Sequence, residues 1–293
     1  MKNLDDKVVA IIGSASGIGR ELAIQLADQG CVLALADIDE KGLASVAAHI
    51  DSKSKAPTIH PLDVSNREQV YQFAADINAS HGRIDILINC AGVAVLETIE
   101  DITYEDFEWA MAVNFWGPVY ATKAFLPFLK QRDEAHIVNV SSVDAITPNP
   151  NGGAYAAAKA ALKLFTETLF QELQGTNISV TSVIPGGVKT NLHRNARFFK
   201  SACEGMTREE CIAFFEDAAL TSAEDAARTI IKAIKKKKGR VLIGLDGRLI
   251  DVCSRVAPFK STALAGHMSR NLKSKKFDLV QQIVRRLSAS FLL

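Results

Sequence analysis

The sequence predicts an α/β fold, a doubly wound parallel sheet of about seven strands with helices on both faces. Short runs dense in Val and Ile, without polar alternation, suit strands buried on both sides. Longer amphipathic segments separate them, giving a β-α-β rhythm over roughly the first 190 residues. A glycine turn stands directly behind the first run and opens the first helical pattern.

The strands read in order as residues 7–12, 31–36, 58–60, 84–89, 136–140 and 179–184, with a seventh at 240–243. Helical patterns fall between them, among them 17–29, 66–80, 104–131, 154–174 and 223–238. Two stretches break the rhythm. Residues 189–222 are long for a connection to the next helix. From Gly244 onward the chain adds a basic, helix-prone extension containing one proline, Pro258. With no low-complexity linker or internal repeat, residues 1–243 read as one domain. Residues 244–293 read as an extension packed on it or attached to it.

The 293 residues, 48% hydrophobic, suffice for one large core. With 18 Gly, 8 Pro and 5 Cys, collagen-like, disordered and small disulfide-stapled classes are excluded. Cys31, Cys90, Cys203, Cys211 and Cys253 are odd in number and scattered, which suits reduced thiols in a cytosolic setting. Asp5 and Asp6 precede an apolar run far too short for a secretory signal. No stretch approaches the ~18 apolar residues of a spanning helix. A cytoplasmic protein, at most peripheral to a membrane, is expected. The formal charge of +1 conceals an asymmetry. From Arg228 to the C-terminus there are 16 basic and 3 acidic residues, a net of +13, which leaves −12 in residues 1–227. Such a division hints at a partner.

The glycine turn reads Gly13-Ser14-Ala15-Ser16-Gly17-Ile18-Gly19. A tight turn of this kind lets the backbone approach a pyrophosphate, and the helix N-terminus offers it N–H groups and positive dipole. The second strand ends at Ala36 and is followed by Asp37 and Ile38. A carboxylate there can accept hydrogen bonds from an adenosine ribose and would repel a 2′-phosphate. Ser14, Ala15, Ser16 and Ile38 supply no cation, so NAD(H) is expected, with NADP(H) as runner-up.

With these residues the sequence resembles the short-chain dehydrogenase/reductase family, and further motifs extend the match over about residues 5–243. Leu62-Asp63-Val64 is similar to its adenine-contacting segment. Asn89-Cys90-Ala91-Gly92 is similar to a motif that usually reads Asn-Asn-Ala-Gly. Asn114, Ser142, Tyr155-Ala-Ala-Ala-Lys159 and Pro185-Gly186-Gly187-Val188-Lys189-Thr190 complete the set. Ile12 and Cys90 depart from the usual Thr and Asn. The resemblance implies a Rossmann-type catalytic domain in which Asp63 and Val64 lie at the adenine and Asn89, Ala91 and Gly92 also belong to the cofactor site. Pro185, Gly186, Val188 and Thr190 frame the nicotinamide end, where Tyr155 and Lys159 also meet the cofactor. It also implies dimers or tetramers built on the helices around 104–131 and 154–174.

Hydride chemistry on an alcohol requires a group that takes the hydroxyl proton. Tyrosine, with a pKa of about 10, needs help at neutral pH. Tyr155 and Lys159 lie four apart on a predicted helix and share a face, so the ammonium is placed to stabilise tyrosinate. Tyr155 is then general base in oxidation and general acid in reduction. Ser142 would donate to the substrate oxygen. The resemblance gives Asn114 a helix kink and a water linked to Lys159. Six histidines without paired ligand spacing argue against a metal site. His193 reads as an exposed loop residue.

Val93, Val95, Leu96, Val143, Ile146, Phe198, Phe199 and Met206 make the expected substrate walls apolar, favouring a hydrophobic secondary alcohol or ketone. His193, Arg194, Arg197 and Lys200 in the same loop leave room for an anionic group. In the tail, Phe277, Val280, Val284, Leu287 and Phe291 form one helical stripe. That stripe can cover the core, meet another subunit, or lie weakly on an anionic membrane surface. No nucleic-acid module accompanies the charge, so no nucleic-acid partner is expected. A rival reading is a nucleotide-binding regulatory or scaffold protein that keeps the fold without turnover. Against it, binding alone does not need Ser142, Tyr155 and Lys159 together.

Overall fold

The first strand sets the layering. In the computed structural model, which describes residues 1–52, 54–199 and 207–270, all five positions of β1 (Val8–Ile12) are buried. Val9 and Ile11 point into one core, Val8, Ala10 and Ile12 into the other. Both faces of a central strand are therefore covered, which is why its sequence shows no polar alternation.

The remaining elements follow in order: α1 (Gly17–Ala27), β2 (Val32–Asp37), α2 (Glu40–Asp51), β3 (Thr58–Pro61), α3 (Arg67–His81) and β4 (Ile86–Asn89). Next come β5 (Val95–Leu96), α4 (Tyr104–Met111), a π-helical turn at Ala112–Trp116, α5 (Gly117–Leu129) and β6 (Ala135–Val140). A 3₁₀ turn at Val143–Ala145 leads to α6 (Gly153–Glu172), β7 (Ile178–Pro185), β8 (Arg197–Phe198), α7 (Arg208–Ala218), α8 (Ala223–Lys235) and β9 (Arg240–Ile243). The extension contributes α9 (Leu245–Val256) and α10 (Pro258–Arg270).

Seven strands form one sheet in the order β3-β2-β1-β4-β6-β7-β9, every pairing parallel. The order runs outward in both directions from β1 and β4. Their C-terminal ends therefore open a crevice, where such folds bind ligands. One core joins Leu22 and Leu26 of α1 to Ile230 and Ile234 of α8 across the sheet face. The other joins Val70, Phe73 and Ile77 of α3 to Phe125, Leu129 and Leu169.

The helix expected over 104–131 is interrupted by the π-turn that contains Asn114, where the resemblance implies a kink. One feature differs from the sequence expectation: residues 189–222 hold β8, which pairs with β5 in a separate two-stranded ribbon. Strands of two residues carry no periodic signal. Cys31, Cys90 and Cys253 are free thiols as expected, whereas Cys211 is disulfide-bonded.

The extension lies on the domain edge. Asp251 of α9 accepts from Arg240 at 2.6 Å and from Arg255 at 3.0 Å, joining α9 to β9. The tail stripe at 277–291 lies outside the described residues. Among the described residues no helix is long and apolar enough to cross a membrane.

Asp85 ties the sheet bottom together. Only 1% exposed, it accepts the Val8 N–H at 2.9 Å and Arg132 Nε at 3.1 Å. Replacing it by Ala strands a buried N–H and a cation, so Asp85→Ala should lower unfolding free energy by about 3–5 kcal/mol. Urea denaturation checks this; an unchanged midpoint would show the network to be dispensable.

Candidate active site

The glycine turn is shaped by what it must avoid. Gly13 has φ +86°, and a Cβ there would lie 2.3 Å from the Ala91 main-chain nitrogen. A Cβ on Gly19 would lie 1.8 Å from the Gly13 carbonyl oxygen. Both positions therefore exclude any side chain. The turn is held by Gly13 and Ser14 N–H groups on the Ala36 carbonyl at 2.8 and 3.2 Å. Ser16, the N-cap of α1, makes no side-chain cap bond, and no acidic residue stands in the first turn. The helix N-terminus is left for an anion. Ile18 is buried in the core beneath it.

Asp37 closes the turn from the second strand. Its Oδ2 accepts the Ala15 N–H at 2.9 Å, its Oδ1 the Asp39 N–H at 3.1 Å, and Ile38 beside it is exposed. Asp63 caps its own turn, accepting Ser65 N–H and Oγ–H at 2.9 and 2.6 Å. Val64 is buried against Gly117. Asn89 uses its side chain inside the sheet, donating to Asn139 Oδ1 at 2.7 Å. What Asn89 can offer a ligand is main chain. From the far side, Thr190 reaches the turn: a Cβ on Gly17 would meet Thr190 Cγ2 at 3.1 Å. Residues more than 170 positions apart thus share one rim.

The catalytic candidates converge next to Gly92. A Cβ on Gly92 would stand 3.1 Å from Asn114 Oδ1 and 3.4 Å from Lys159 Nζ. Asn114, fully buried in the π-turn, donates to the Val93 and Ala110 carbonyls, each at 2.9 Å. It also accepts the Val93 N–H at 3.2 Å. The π-turn is the backbone's accommodation of that amide. Lys159 Nζ donates to the Val140 carbonyl at 3.0 Å and sits 5.7 Å from the Tyr155 ring centroid. Ser142 Oγ accepts the Asp144 N–H at 3.1 Å, leaving its own proton free to donate.

A family model described as short chain dehydrogenase matches residues 7–200. The chain belongs to this family. It is 37% identical over 259 residues to a putative oxidoreductase SadH of Mycobacterium tuberculosis, spanning 87% of this chain and 92% of that protein. It is 34% identical to dehydrogenase/reductase SDR family member 7B of Danio rerio, over 83% of this chain and 79% of that one. A short chain dehydrogenase/reductase from Burkholderia phymatum, solved in complex with NAD, superposes with a TM-score of 0.81 at 26% identity. That match covers 91% of this chain and 97% of the other. This short-chain dehydrogenase is therefore an oxidoreductase with a nucleotide-binding Rossmann-type fold.

Burial dominates the electrostatics of its site. Desolvation raises the Tyr155 phenol well above its ordinary value, and Asp144 and Cys90 add to the rise, while a hydrogen bond with Ser142 opposes it. Lys159 falls to about 8 through desolvation, partly offset by Cys90. Lys159 Nζ, bonded to the Val140 carbonyl, lies 5.7 Å from the Tyr155 ring centroid, within reach for its charge to act on the phenol. Sequence reasoning missed Asp144, whose carboxyl burial raises to about 6 against a hydrogen bond from Asn149. Its position two residues after Ser142 was the available signal.

Among the described residues, Arg194 and Arg197 of the loop after Thr190 are both paired. Arg197 lies 3.7 Å from the Trp109 ring centroid and pairs with Asp106. Arg194 holds Glu216 at 2.8 Å, and Arg208 reaches the Arg194 carbonyl at 3.0 Å. His193 is not an exposed loop residue. It stacks on Phe215 at 4.0 Å, and burial lowers it to about 4. Lys200 and Met206 lie outside the described residues.

A buried Lys with a depressed pKa carries a measurable cost. Between about pH 8 and its ordinary 10.5 the unfolded chain binds more protons than the folded one, so stability rises with pH across that window. Lys159→Met should therefore be more thermostable than wild type at pH 7, by on the order of 3 kcal/mol, with the difference shrinking towards pH 10. Thermal melts at both pH values check this.

Proposed function

We propose that the enzyme transfers a hydride between NAD(H) and an apolar secondary alcohol or its ketone, with Tyr155 as general acid and base. The observation that carries this reading is one connected cluster: Asn114 and Lys159 stand beside Gly92, Tyr155 lies next to Lys159, and Ser142 hydrogen-bonds Tyr155. When bound, the nicotinamide supplies the hydride acceptor or donor. This chain supplies the rest.

The N-terminus of α1 fits a pyrophosphate, since its first turn carries no acidic residue and Ser16 leaves its N–H groups uncapped. Asp37 would receive the adenosine ribose. Lys159 would hold the nicotinamide ribose, and residues 185–190 its carboxamide end. NAD over NADP is favoured by Asp37, by the lack of a cation at residues 14–16 and 38, and by the NAD complex of the Burkholderia phymatum relative. NADP-linked reduction remains the second reading of the cofactor. A binding-only role has no use for the buried Lys159 beside Tyr155.

In reduction, Tyr155 delivers its proton to the carbonyl oxygen, which Ser142 holds by donating its own. In oxidation, Tyr155 must first be deprotonated, and burial together with the Asp144 charge opposes that. The substrate walls support an apolar partner, because Arg194 and Arg197 are committed to Glu216 and Asp106. Exposed Trp116, Leu164 and Phe170 on the helices around 104–131 and 154–174 support a homodimer or homotetramer through those faces.

Tyr155→Phe should lower kcat by at least about a thousandfold while NADH still binds, measured by turnover and fluorescence titration. Wild-type kcat/KM should favour NAD over NADP by about tenfold or more, since a 2′-phosphate would face Asp37. Removing the Asp144 charge lowers the phenol's pKa. In Asp144→Asn the alkaline rise of alcohol oxidation should therefore begin at lower pH than in wild type; a coincident pH profile would remove Asp144 from the acid–base chemistry.

A further inference from the structure

The Gly186–Gly187 turn directly behind β7 is enclosed by a part of the chain that no cofactor motif covers. On one side stands the end of α7, where a Cβ on Gly187 would come 3.1 Å from the Ala219 Cα. On the other stands Asp246, in the first turn of α9. A Cβ on Gly186 would lie 2.3 Å from its Oδ2, so only glycine admits the carboxylate at this distance.

Asp246 Oδ2 accepts the Gly187 N–H at 2.6 Å. The other holds on the turn are main chain. Gly186 N–H donates to the Ile243 carbonyl at 3.0 Å, Thr221 N–H to the Gly187 carbonyl at 3.2 Å, and Lys189 N–H to the Thr221 carbonyl at 2.9 Å. Together they fix the path from Pro185 to Lys189 and aim Thr190 at Gly17. Asp246 is the side chain among them. Its Oδ1 is buried without a partner in hydrogen-bonding geometry, and the N-cap of α9 is Gly244, which supplies no side-chain bond. The carboxylate thus bridges the turn, through Gly187, and the N–H groups of its own first helical turn at Asp246 and Gly247.

We propose that Asp246 is a positioning residue for the nicotinamide half of the cofactor, making the first turn of the extension a structural part of the coenzyme site. The charge of Asp246 strengthens the one hydrogen bond that joins the two segments through a side chain. Removing it frees the Val188–Thr190 segment while leaving the glycine turn and Asp37, which would take the adenosine half, undisturbed. The proposal rests on the reading that residues 185–190 meet the nicotinamide.

The test compares NADH with ADP, which lacks the nicotinamide half, by fluorescence titration of wild type, Asp246→Ala and Asp246→Asn. The alanine variant should bind NADH about tenfold more weakly and ADP within about twofold of wild type, with KM for NADH rising more than kcat falls. The asparagine variant, which keeps an acceptor without charge, should be intermediate at about threefold. It also carries the comparison if the alanine variant does not fold. Equal weakening of NADH and ADP would mark a general loss of structure and overturn the proposal, as would unchanged NADH binding in the variants. A wild-type chain that binds neither ligand would defeat the functional reading itself, and this proposal with it.

Discussion

The rest of the site depends on the contact between the glycine turn and the end of β4. Cys90 and Ala91 both donate their N–H groups to the Ile12 carbonyl at 2.9 Å. That double bond of β4 to β1 brings Ala91 where a Gly13 side chain would otherwise be. It seals the bottom of the crevice at the point where strand order reverses. Gly92, next in the chain, then passes beside Asn114 and Lys159. A bulkier residue at Gly13 or Gly19 would push the two strands' ends apart, and the cofactor cradle and the catalytic group would lose their common floor.

Above that floor, burial sets the protonation states. Desolvation is the leading cause of the shifts at Tyr155, Lys159, Asp144 and Cys90. Each shift favours the neutral form: phenol, amine, carboxylic acid and thiol. The three acids therefore hold their protons more tightly than in water, whereas the Lys159 ammonium gives its proton up more readily. The Asp144 charge works against tyrosinate from the turn that follows Ser142.

Much of this was legible in the chain. The seven strands lie within two residues of their expected limits, because buried Val- and Ile-rich runs announce themselves without reference to neighbours. Asn114, Ser142, Tyr155 and Lys159 were singled out by likeness to the family's motifs, and Asn114 and Lys159 stand beside Gly92 with Tyr155 next to Lys159. Other features depend on partners that spacing does not reveal. The hydrophobic pattern over 104–131 is continuous, and only the resemblance at Asn114 implied the kink, which the structure shows as a π-turn with Asn114 bonded to Val93. Arg194, Arg197 and His193 read as solvent-facing or anion-binding, yet each has a partner brought from another element. The β5–β8 ribbon joins residues about a hundred positions apart through two-residue strands, too short for any pattern.

The charge division between body and extension also acquires a local meaning. At least two acidic residues of the basic extension are internal fasteners, Asp251 to Arg240 and Asp246 to Gly187. The sequence by itself determined the α/β layering and the family, and it singled out Asn114, Ser142, Tyr155 and Lys159 as candidates through their likeness to the family's motifs. Hydrophobic periodicity and motif spacing are local properties, carried within a few tens of residues. Only the tertiary structure decided that Lys159 donates to the Val140 carbonyl, that Arg194 and Arg197 are paired, and that the extension reaches the turn behind β7. Each of those is settled by which groups are desolvated together, and desolvation exists only once the chain has folded.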